Sequence, residues 1–319
     1  MDYKINTALR VLVIGDVMID HYIYGSCSRI SPEAPVQVVE VKRDYYTLGG
    51  AGNVLQNLIA FKCAADIVSV TGDDGDAVVV QDQLRKEGIS NKYLVKDNQR
   101  CTTVKSRVMV QSHQLIRLDR EVTHQVSNVI EKQIISILKN SISNYDIVLI
   151  SDYNKGLLSQ DLLMQIFDIC RLNNIKTLLD PKGTDFSKYK GVSIIKPNKK
   201  EAVLASGIEI YDKRSLEAAC LKIQEVTQCE SVVITMSEEG IAMYTNNVLQ
   251  VIPTKVLDVV DVTGAGDTVL AALGVALGSG NSLYAACDFA NTAAAVVVSK
   301  VGSATATLKE IEQRVVYNN

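Results

Sequence analysis

The chain has 319 residues, 47% hydrophobic and 22% charged, with 33 basic against 36 acidic side chains. That composition excludes disorder, collagen-like repeats and coiled coil, and a net charge of −3 gives no general attraction to nucleic acid or to a membrane surface. Any anion it binds must be held by a local site.

Seven cysteines, Cys27, Cys63, Cys101, Cys170, Cys220, Cys229 and Cys287, are odd in number and form no CxxC pair, so no disulfide framework or zinc site is predicted. They read as reduced and mostly buried. The N-terminal MDYKINTALR carries charge where a signal peptide is apolar. The longest apolar candidate, Val269–Leu277, is short of the roughly 18 to 20 residues that a membrane helix needs. A cytoplasmic chain is expected, with one main α/β domain over 1–319.

In chain order, Val11–Ile14 is a largely β-branched run ending in Gly15-Asp16, which predicts a buried strand delivering a carboxylate at its C-terminal end. Asp16 and Asp20 together suit a polyol, because ionised carboxylates accept hydrogen bonds from vicinal hydroxyls; surface solvation is the alternative for Asp20. Val36–Lys42 alternates apolar and polar residues. Leu48-Gly49-Gly50-Ala51-Gly52-Asn53 then precedes a helix expected to begin near Val54. Its glycines clear space for a sugar against backbone, and Asn53 offers a donor and an acceptor, although a plain tight turn would look the same.

Thr102–Leu118 alternates again, with no helix inside it. The two alternating stretches, at about 21–46 and 99–119, predict antiparallel strands of a small projecting sheet that covers a site, or else an edge extension without function. Elsewhere strand-like runs at Ile67–Val70, Ile147–Ile150, Thr177–Leu179, Ser193–Ile195 and Val232–Thr235 alternate with helical stretches at Val129–Lys139, Gln160–Asn173 and Ser215–Thr227. That rhythm predicts an α/β fold: a doubly wound, mostly parallel sheet with helices on both faces and ligands beyond the carboxyl ends of the strands.

The most informative stretch is Asp261-Val262-Thr263-Gly264-Ala265-Gly266-Asp267-Thr268, followed by the apolar run Val269–Leu277. Glycines at 264 and 266 admit a ligand close to the backbone, and a buried helix after them points unpaired N–H groups and a positive dipole end at an anion. No Walker sequence GxxxxGK[ST] occurs. Asp267 stands at the mouth of this anion hole, where a carboxylate repels the anion. If the anion is a transferring phosphoryl group, Asp267 can take the proton of an attacking hydroxyl; a capping aspartate on a glycine-rich turn is the plain alternative.

With GDVMID (15–20), GGAGN (49–53), PNKKE (197–201) and DVTGAGD (261–267) in that order, the sequence resembles the ribokinase-like, PfkB-type carbohydrate kinases over nearly its whole length. The resemblance implies transfer of the ATP γ-phosphate to a sugar hydroxyl, with Asp267 as base and Gly264, Ala265 and Gly266 as anion hole. It implies that Asn198 and Glu201 organise magnesium through water, and leaves a monovalent cation open. The nucleotide is expected along Asn198, Lys199, Lys200, Glu201, Thr235, Ser237, Glu238, Gly240 and Thr263. Asn291 approaches the adenine or is an ordinary helix-surface amide.

Residues 28–36 (SRISPEAPV), 114–119 (QLIRLD), 151–153 (SDY) and 180–185 (DPKGTD) are similar to the heptose-7-phosphate 1-kinases of ADP-heptose biosynthesis, which act on the D-glycero-β-D-manno sugar. Those enzymes are often fused to a nucleotidyltransferase carrying HxGH. His21, His113 and His124 do not form that pattern, so a separate nucleotidyltransferase, and a phosphatase, are expected in the same pathway. Asp16, Asp20, Gly49, Gly50 and Asn53 would hold the sugar. Its distal phosphate would meet Lys105 and Arg107, which share a strand face, together with Arg117 and Arg29; a solvated strand face is the alternative. Another acceptor (fructose, ribose, a hexose phosphate or a nucleoside) or a non-catalytic binding module are the competing readings. Val36, Val38, Val108 and Val110 on an exposed sheet edge predict a homodimer.

Overall fold

The computed structural model describes residues 3–111, 113–255 and 258–317. Strand β1 (Arg10–Gly15) runs almost directly into β2 (Val17–Ile30), and the chain returns as β3 (Gln37–Gly50) before α1 (Ala51–Ala60), β4 (Ala64–Thr71), α2 (Gly75–Lys86) and β5 (Leu94–Lys96). A hairpin of β6 (Val104–Val110) and β7 (His113–Arg120) comes next. The alternation resumes through α3 (Asn128–Ser141), β8 (Ile147–Ser151), α4 (Gln160–Leu172), β9 (Lys176–Asp180), β10 (Ile194–Ile195), α5 (Lys199–Ser206), α6 (Lys213–Thr227) and β11 (Ser231–Thr235). Strands β12 (Ile241–Thr245) and β13 (Val248–Ile252) precede α7 (Ala265–Gly278), α8 (Leu283–Val297) and α9 (Leu308–Tyr317).

Nine strands form one sheet in the order β13-β12-β11-β10-β9-β8-β1-β4-β5. It is parallel from β11 to β5, with an antiparallel edge made by β12 and β13. The six apolar runs read as strands are β1, β4, β8, β9, β10 and β11, and the three periodic stretches are α3, α4 and α6. Side chains alternate across the sheet as the pleat requires. Val11 and Val13 enter the core beneath α1, α7 and α8, whereas Leu12 and Ile14 enter the opposite core with α3, α4 and α6. Burial on both faces explains why these strands read as continuous apolar runs. The cysteines are free, five of them buried, with Cys27 and Cys101 half-buried.

The projecting sheet differs from its sequence reading in two respects. It has four strands, in the order β3-β2-β6-β7, and starts at Val17 rather than near residue 21; residue 112, inside the second alternating stretch, lies outside the described residues. It is also mixed: β2–β3 and β6–β7 are antiparallel, but β2 and β6 pair in parallel. Helix α1 starts at Ala51, three residues before the expected Val54, because Gly50 (φ 58°) turns the chain and gives Asn53 a place inside the first turn. The expected apolar edge is only partly exposed: Val36 is open, Val38 and Val110 are half-covered and Val108 is buried. Ile116 and Leu118 on β7 are exposed apolar side chains as well.

Candidate active site

Beyond the carboxyl ends of β8 to β11 lies a cleft of about 730 Å³ whose wall includes the start of α7. Gly264 caps that helix at φ 78°, a left-handed conformation that suits glycine. The Ala265 N–H is already bonded to the Val262 carbonyl at 3.2 Å. The N–H groups of Gly266 and Asp267, as first-turn residues, have no helical carbonyl behind them. A side chain at Gly266 would point toward Asp180 Oδ2 and Lys196 Nζ, at 3.8 and 3.9 Å from its Cβ.

Asp267 is buried in that first turn. Its Oδ2 accepts the Asn53 amide at 2.7 Å, and the Tyr153 hydroxyl donates to Oδ1 at 2.9 Å and to Oδ2 at 3.1 Å. Burial pushes its carboxyl up to about 6, against the opposing pull of the Asn53 and Tyr153 hydrogen bonds and of Lys196. Asn53 is held in place from behind, where Asn57 Nδ2 donates to its carbonyl at 2.9 Å and Thr268 Oγ1 donates to Asn57 Oδ1 at 2.9 Å. A capping aspartate would bond its own helix's N–H groups; this carboxylate is instead held by donors from two other segments.

The Asn53 amide nitrogen faces a carboxylate, so its Oδ1 points elsewhere, buried and without a partner. An orphaned buried acceptor costs about 1–3 kcal/mol and calls for a hydroxyl donor. Asp16, also buried, accepts the N–H groups of Tyr153 at 2.9 Å and Lys155 at 3.2 Å, and burial followed by the nearby Asp152 pushes it up to about 6. Asp20 is buried rather than solvated and is bonded by Arg107. Gly49 lies against it: a Cβ there would stand 2.4 Å from Asp20 Oδ2. Gly50 adjoins the Asp16 carbonyl and the Tyr153 ring.

At the other end of the cleft Asn198 and Glu201 form a capping box on α5, the side chain of each accepting the other's backbone N–H at 2.8 and 3.0 Å. Lys182 donates to the second Glu201 oxygen at 2.8 Å. Thr235, Ser237, Glu238, Gly240 and Asn291 line the same wall. Asn291 is buried, not on the helix surface, and donates to the Pro253 carbonyl at 2.6 Å. Three residues expected at the nucleotide do not line the cleft. Thr263 bonds the Asp261 carboxylate, Lys199 pairs with Glu239, and Lys200 is exposed outside the cleft wall.

Magnesium fits this end only through its water shell. Glu201 and Asn198 are hard oxygen donors, but both Glu201 oxygens are already bonded, and among the described residues no three His, Cys, Asp or Glu side chains converge on one ion position.

The four expected phosphate cations all lie on the projecting sheet, and three of them are paired. Arg107 holds Asp20, Lys105 bridges Asp119 at 3.2 Å and Glu121 at 3.0 Å, and Arg117 holds Asp119 at 2.9 Å. Arg29 is exposed near the far end of β2, away from this group. Near the start of α7, the Ser303 Cα is 3.7 Å from a Cβ built on Gly264.

Sequence reading assigned no role to Tyr153, Asp180, Lys182 or Lys196. Lys196 is buried and paired with Asp180 at 3.0 Å. Burial pushes Asp180 up to about 7, with Lys196 opposing and Glu201 and Asp267 adding to the rise. A signal existed: Asp180 ends a buried strand and Lys196 stands directly past one, as Asp16 does.

The sequence profile described as pfkB family carbohydrate kinase matches residues 8–310. The chain belongs to that family. It is therefore a sugar kinase, a phosphotransferase. It is 48% identical to the Bifunctional protein HldE of Helicobacter hepaticus over 304 residues, covering 95% of this chain and 63% of that protein. The same name is borne by a relative from Aliarcobacter butzleri, 48% identical over 302 residues with the same coverage. The chain thus spans a little under two thirds of the length of these relatives. Among solved structures it is similar to phosphofructokinase-2 from Escherichia coli in complex with potassium, at 17% identity with a TM-score of 0.80, over 97% of this chain and 98% of that one. It is also similar to Arabidopsis thaliana ribokinase complexed with ribose and ATP, at 19% identity with a TM-score of 0.75, over 97% and 99%. The expected ribokinase-like fold is the one observed. Among the described residues no helix is long and apolar enough to cross a membrane.

Proposed function

We propose that this carbohydrate kinase transfers the γ-phosphoryl group of ATP to O1 of D-glycero-β-D-manno-heptose 7-phosphate, giving the 1,7-bisphosphate for ADP-heptose biosynthesis. The observation that carries the chemistry is Asp267: a buried carboxylate beside two unpaired helix N–H groups, with an unpartnered Asn53 oxygen next to it. The acceptor follows from the 48% identity to proteins named HldE together with the heptose-kinase stretches at 28–36, 151–153 and 180–185.

Asp16 and Asn53 orient the sugar by accepting its hydroxyl protons. Asp267 takes the proton of the attacking hydroxyl as its oxygen bonds to the γ-phosphorus. The bond from that phosphorus to the β–γ bridging oxygen breaks, and its electron pair leaves with ADP. The Gly266 and Asp267 N–H groups and Lys196 face the charge on the transferring group. Asn198 and Glu201 would hold magnesium through water, and the ion would supply neutralisation of phosphate charge. Asp267 cannot repel the phosphate once it is protonated, which couples proton removal to transfer.

The pairing of Lys105, Arg107 and Arg117 with carboxylates favours a second reading, a sugar acceptor without a distal phosphate, since a phosphate must displace those partners. An ADP-release assay with heptose 7-phosphate, fructose 6-phosphate and ribose separates the two. Heptose 7-phosphate should exceed both in kcat/KM by at least about tenfold, the equivalent of one charge-assisted hydrogen bond; ribose in first place overturns the heptose assignment. Asp267→Asn should lower kcat by about 10²- to 10⁴-fold. Near-normal turnover in that variant removes the base. The chain is further proposed to act in the cytoplasm as a homodimer joined through the projecting sheet, with adenylyl transfer and dephosphorylation supplied by nucleotidyltransferase and phosphatase activities of the same pathway.

A further inference from the structure

The segment after β8 reaches both carboxylates of the acceptor side through one residue. The Tyr153 backbone N–H donates to Asp16 Oδ2 at 2.9 Å, while its side chain crosses the cleft to Asp267. The two oxygens of Asp267 are not equivalent. Oδ2 accepts Asn53 at 2.7 Å and shares the Tyr153 proton at 3.1 Å; Oδ1 accepts Tyr153 alone at 2.9 Å. A carboxylate oxygen has two lone-pair sites, so Oδ2 is filled and Oδ1 keeps one open.

We propose that Tyr153 is a positioning residue for the reaction: its hydroxyl fixes the plane of the Asp267 carboxylate and leaves Oδ1 as the atom that receives the acceptor's proton. This rests on the reading of Asp267 as the base. Tyr153 is a donor throughout the working range, because burial and the charges of Asp267 and Asp180 raise its phenol well above the ordinary value. Its bond is made to the ionised carboxylate and so favours that form. The other groups facing Asp267 are Asn53 from α1, Lys196 past β10, Asp180 at the end of β9 and Asp20 from β2. Asn53 and Lys196 also favour ionisation, whereas Asp20 and Asp180 oppose it. Lys196 is already committed to Asp180, so the two hydrogen bonds are the chief holders of the charge.

Tyr153→Phe removes the hydroxyl and keeps the ring and the N–H that holds Asp16. The test is a carbon-13 titration of the aspartate carboxyls in the ligand-free protein, with the Asp267 signal assigned by its loss in Asp267→Asn. Tyr153→Phe should raise the Asp267 pKa by about one to two units, the equivalent of one hydrogen bond to a charged group, while the Asp16 signal stays in place. Turnover with ATP and heptose 7-phosphate should then fall by about two- to tenfold at pH 7 and recover toward pH 9, with KM for ATP unchanged. Difluorotyrosine in place of Tyr153, a stronger donor, should move the Asp267 pKa the other way, and it tests the bond even if the Phe variant folds poorly. An Asp267 pKa unmoved by either replacement overturns the proposal. The base assignment fails separately: normal turnover in Asp267→Asn removes it whatever the titration shows.

Discussion

Two glycines only two residues apart, Gly264 and Gly266, should respond to alanine with stability changes of opposite sign, and only one of them tests the phosphate site cleanly. At Gly266 the backbone is already helical, and a Cβ meets nothing nearer than Asp180 Oδ2 at 3.8 Å and Lys196 Nζ at 3.9 Å, ordinary contact distances. Alanine in a helix is worth about 0.5–1 kcal/mol over glycine. With an unfolding entropy of about 2.1 cal/mol/K per residue, 1 kcal/mol corresponds to about 1.5 °C in a chain of this length, so Gly266→Ala should raise Tm by about 1 °C. The same methyl stands between the free N–H groups and the Asp180–Lys196 pair, where the γ-phosphate must approach. Displacing a reacting group by about 1 Å costs on the order of 10²-fold in rate, so kcat should fall by that factor while the protein gains stability. At Gly264 alanine is forced to φ 78° with its Cβ 2.7 Å from the Asn53 amide. That costs about 1–2 kcal/mol before any steric adjustment, so Tm should drop by about 2–3 °C. Scanning calorimetry and an ADP-release assay on both variants decide the matter. Full activity in a stabilised Gly266→Ala enzyme would show that no phosphate passes over this turn.

Arg107→Met should raise KM for heptose 7-phosphate by about tenfold or more and leave KM for ATP alone, measured by initial rates; an unchanged sugar KM would exclude Arg107 from the acceptor site. Asn53→Ala should combine a higher acidic limit in the pH profile of kcat/KM with a raised sugar KM, because it removes one donor to Asp267 and the unpartnered acceptor together. Asp16, Asp180 and Asp267 are raised to about 6, 7 and 6 by burial, so they bind protons in the folded chain that they release when unfolded. Their contribution to stability is full below about pH 4 and is lost as pH rises through 6 to 7. The ligand-free Asp267→Asn variant should therefore gain stability relative to the parent at pH 8 and show no gain at pH 4, measured by urea unfolding; the reverse order would contradict the burial assignments.

The main sheet was legible because strands buried on both faces leave unbroken apolar runs: Val11–Ile14 and Ile147–Ile150 have no other reading at that length. Asp267 and the Gly264–Gly266 turn were legible because glycine spacing before a small-residue helix fixes local geometry. Tyr153, Asp180 and Lys196 were not, since each acts through partners far away in the sequence: Tyr153 meets Asp267 across 114 residues. The lid strands show the same limit. Alternation located them, but the parallel pairing of β2 with β6 depends on a contact between segments some 85 residues apart, for which the sequence carries no local signal. Alternation placed Lys105 and Arg107 on one strand face, and their carboxylate partners were overlooked. Asp119 lies opposite Lys105 in the β6–β7 register, and alternation alone does not pair two strands.

That pairing bears on how the site is charged. The cleft and its surroundings gather Asp16, Asp20, Asp152, Asp180, Glu201 and Asp267, yet a kinase must admit an anionic phosphate donor. Each carboxylate but one has a cation or backbone donors of its own: Arg107 for Asp20, Lys188 for Asp152 at 2.7 Å, Lys196 for Asp180, Lys182 for Glu201, and two N–H groups for Asp16. Asp267 and Asp16 are the two held only by neutral donors, Asp267 by the Asn53 and Tyr153 side chains and Asp16 by backbone N–H groups, and of the two it is Asp267 that stands in the first turn of α7. A cationic partner in contact would stabilise its ionised form and depress its basicity, whereas neutral donors orient it and leave its affinity for a proton close to the working pH. Neutral side-chain donors together with a place in the first turn of α7, more than a motif, support the proposed role of this carboxylate as the base.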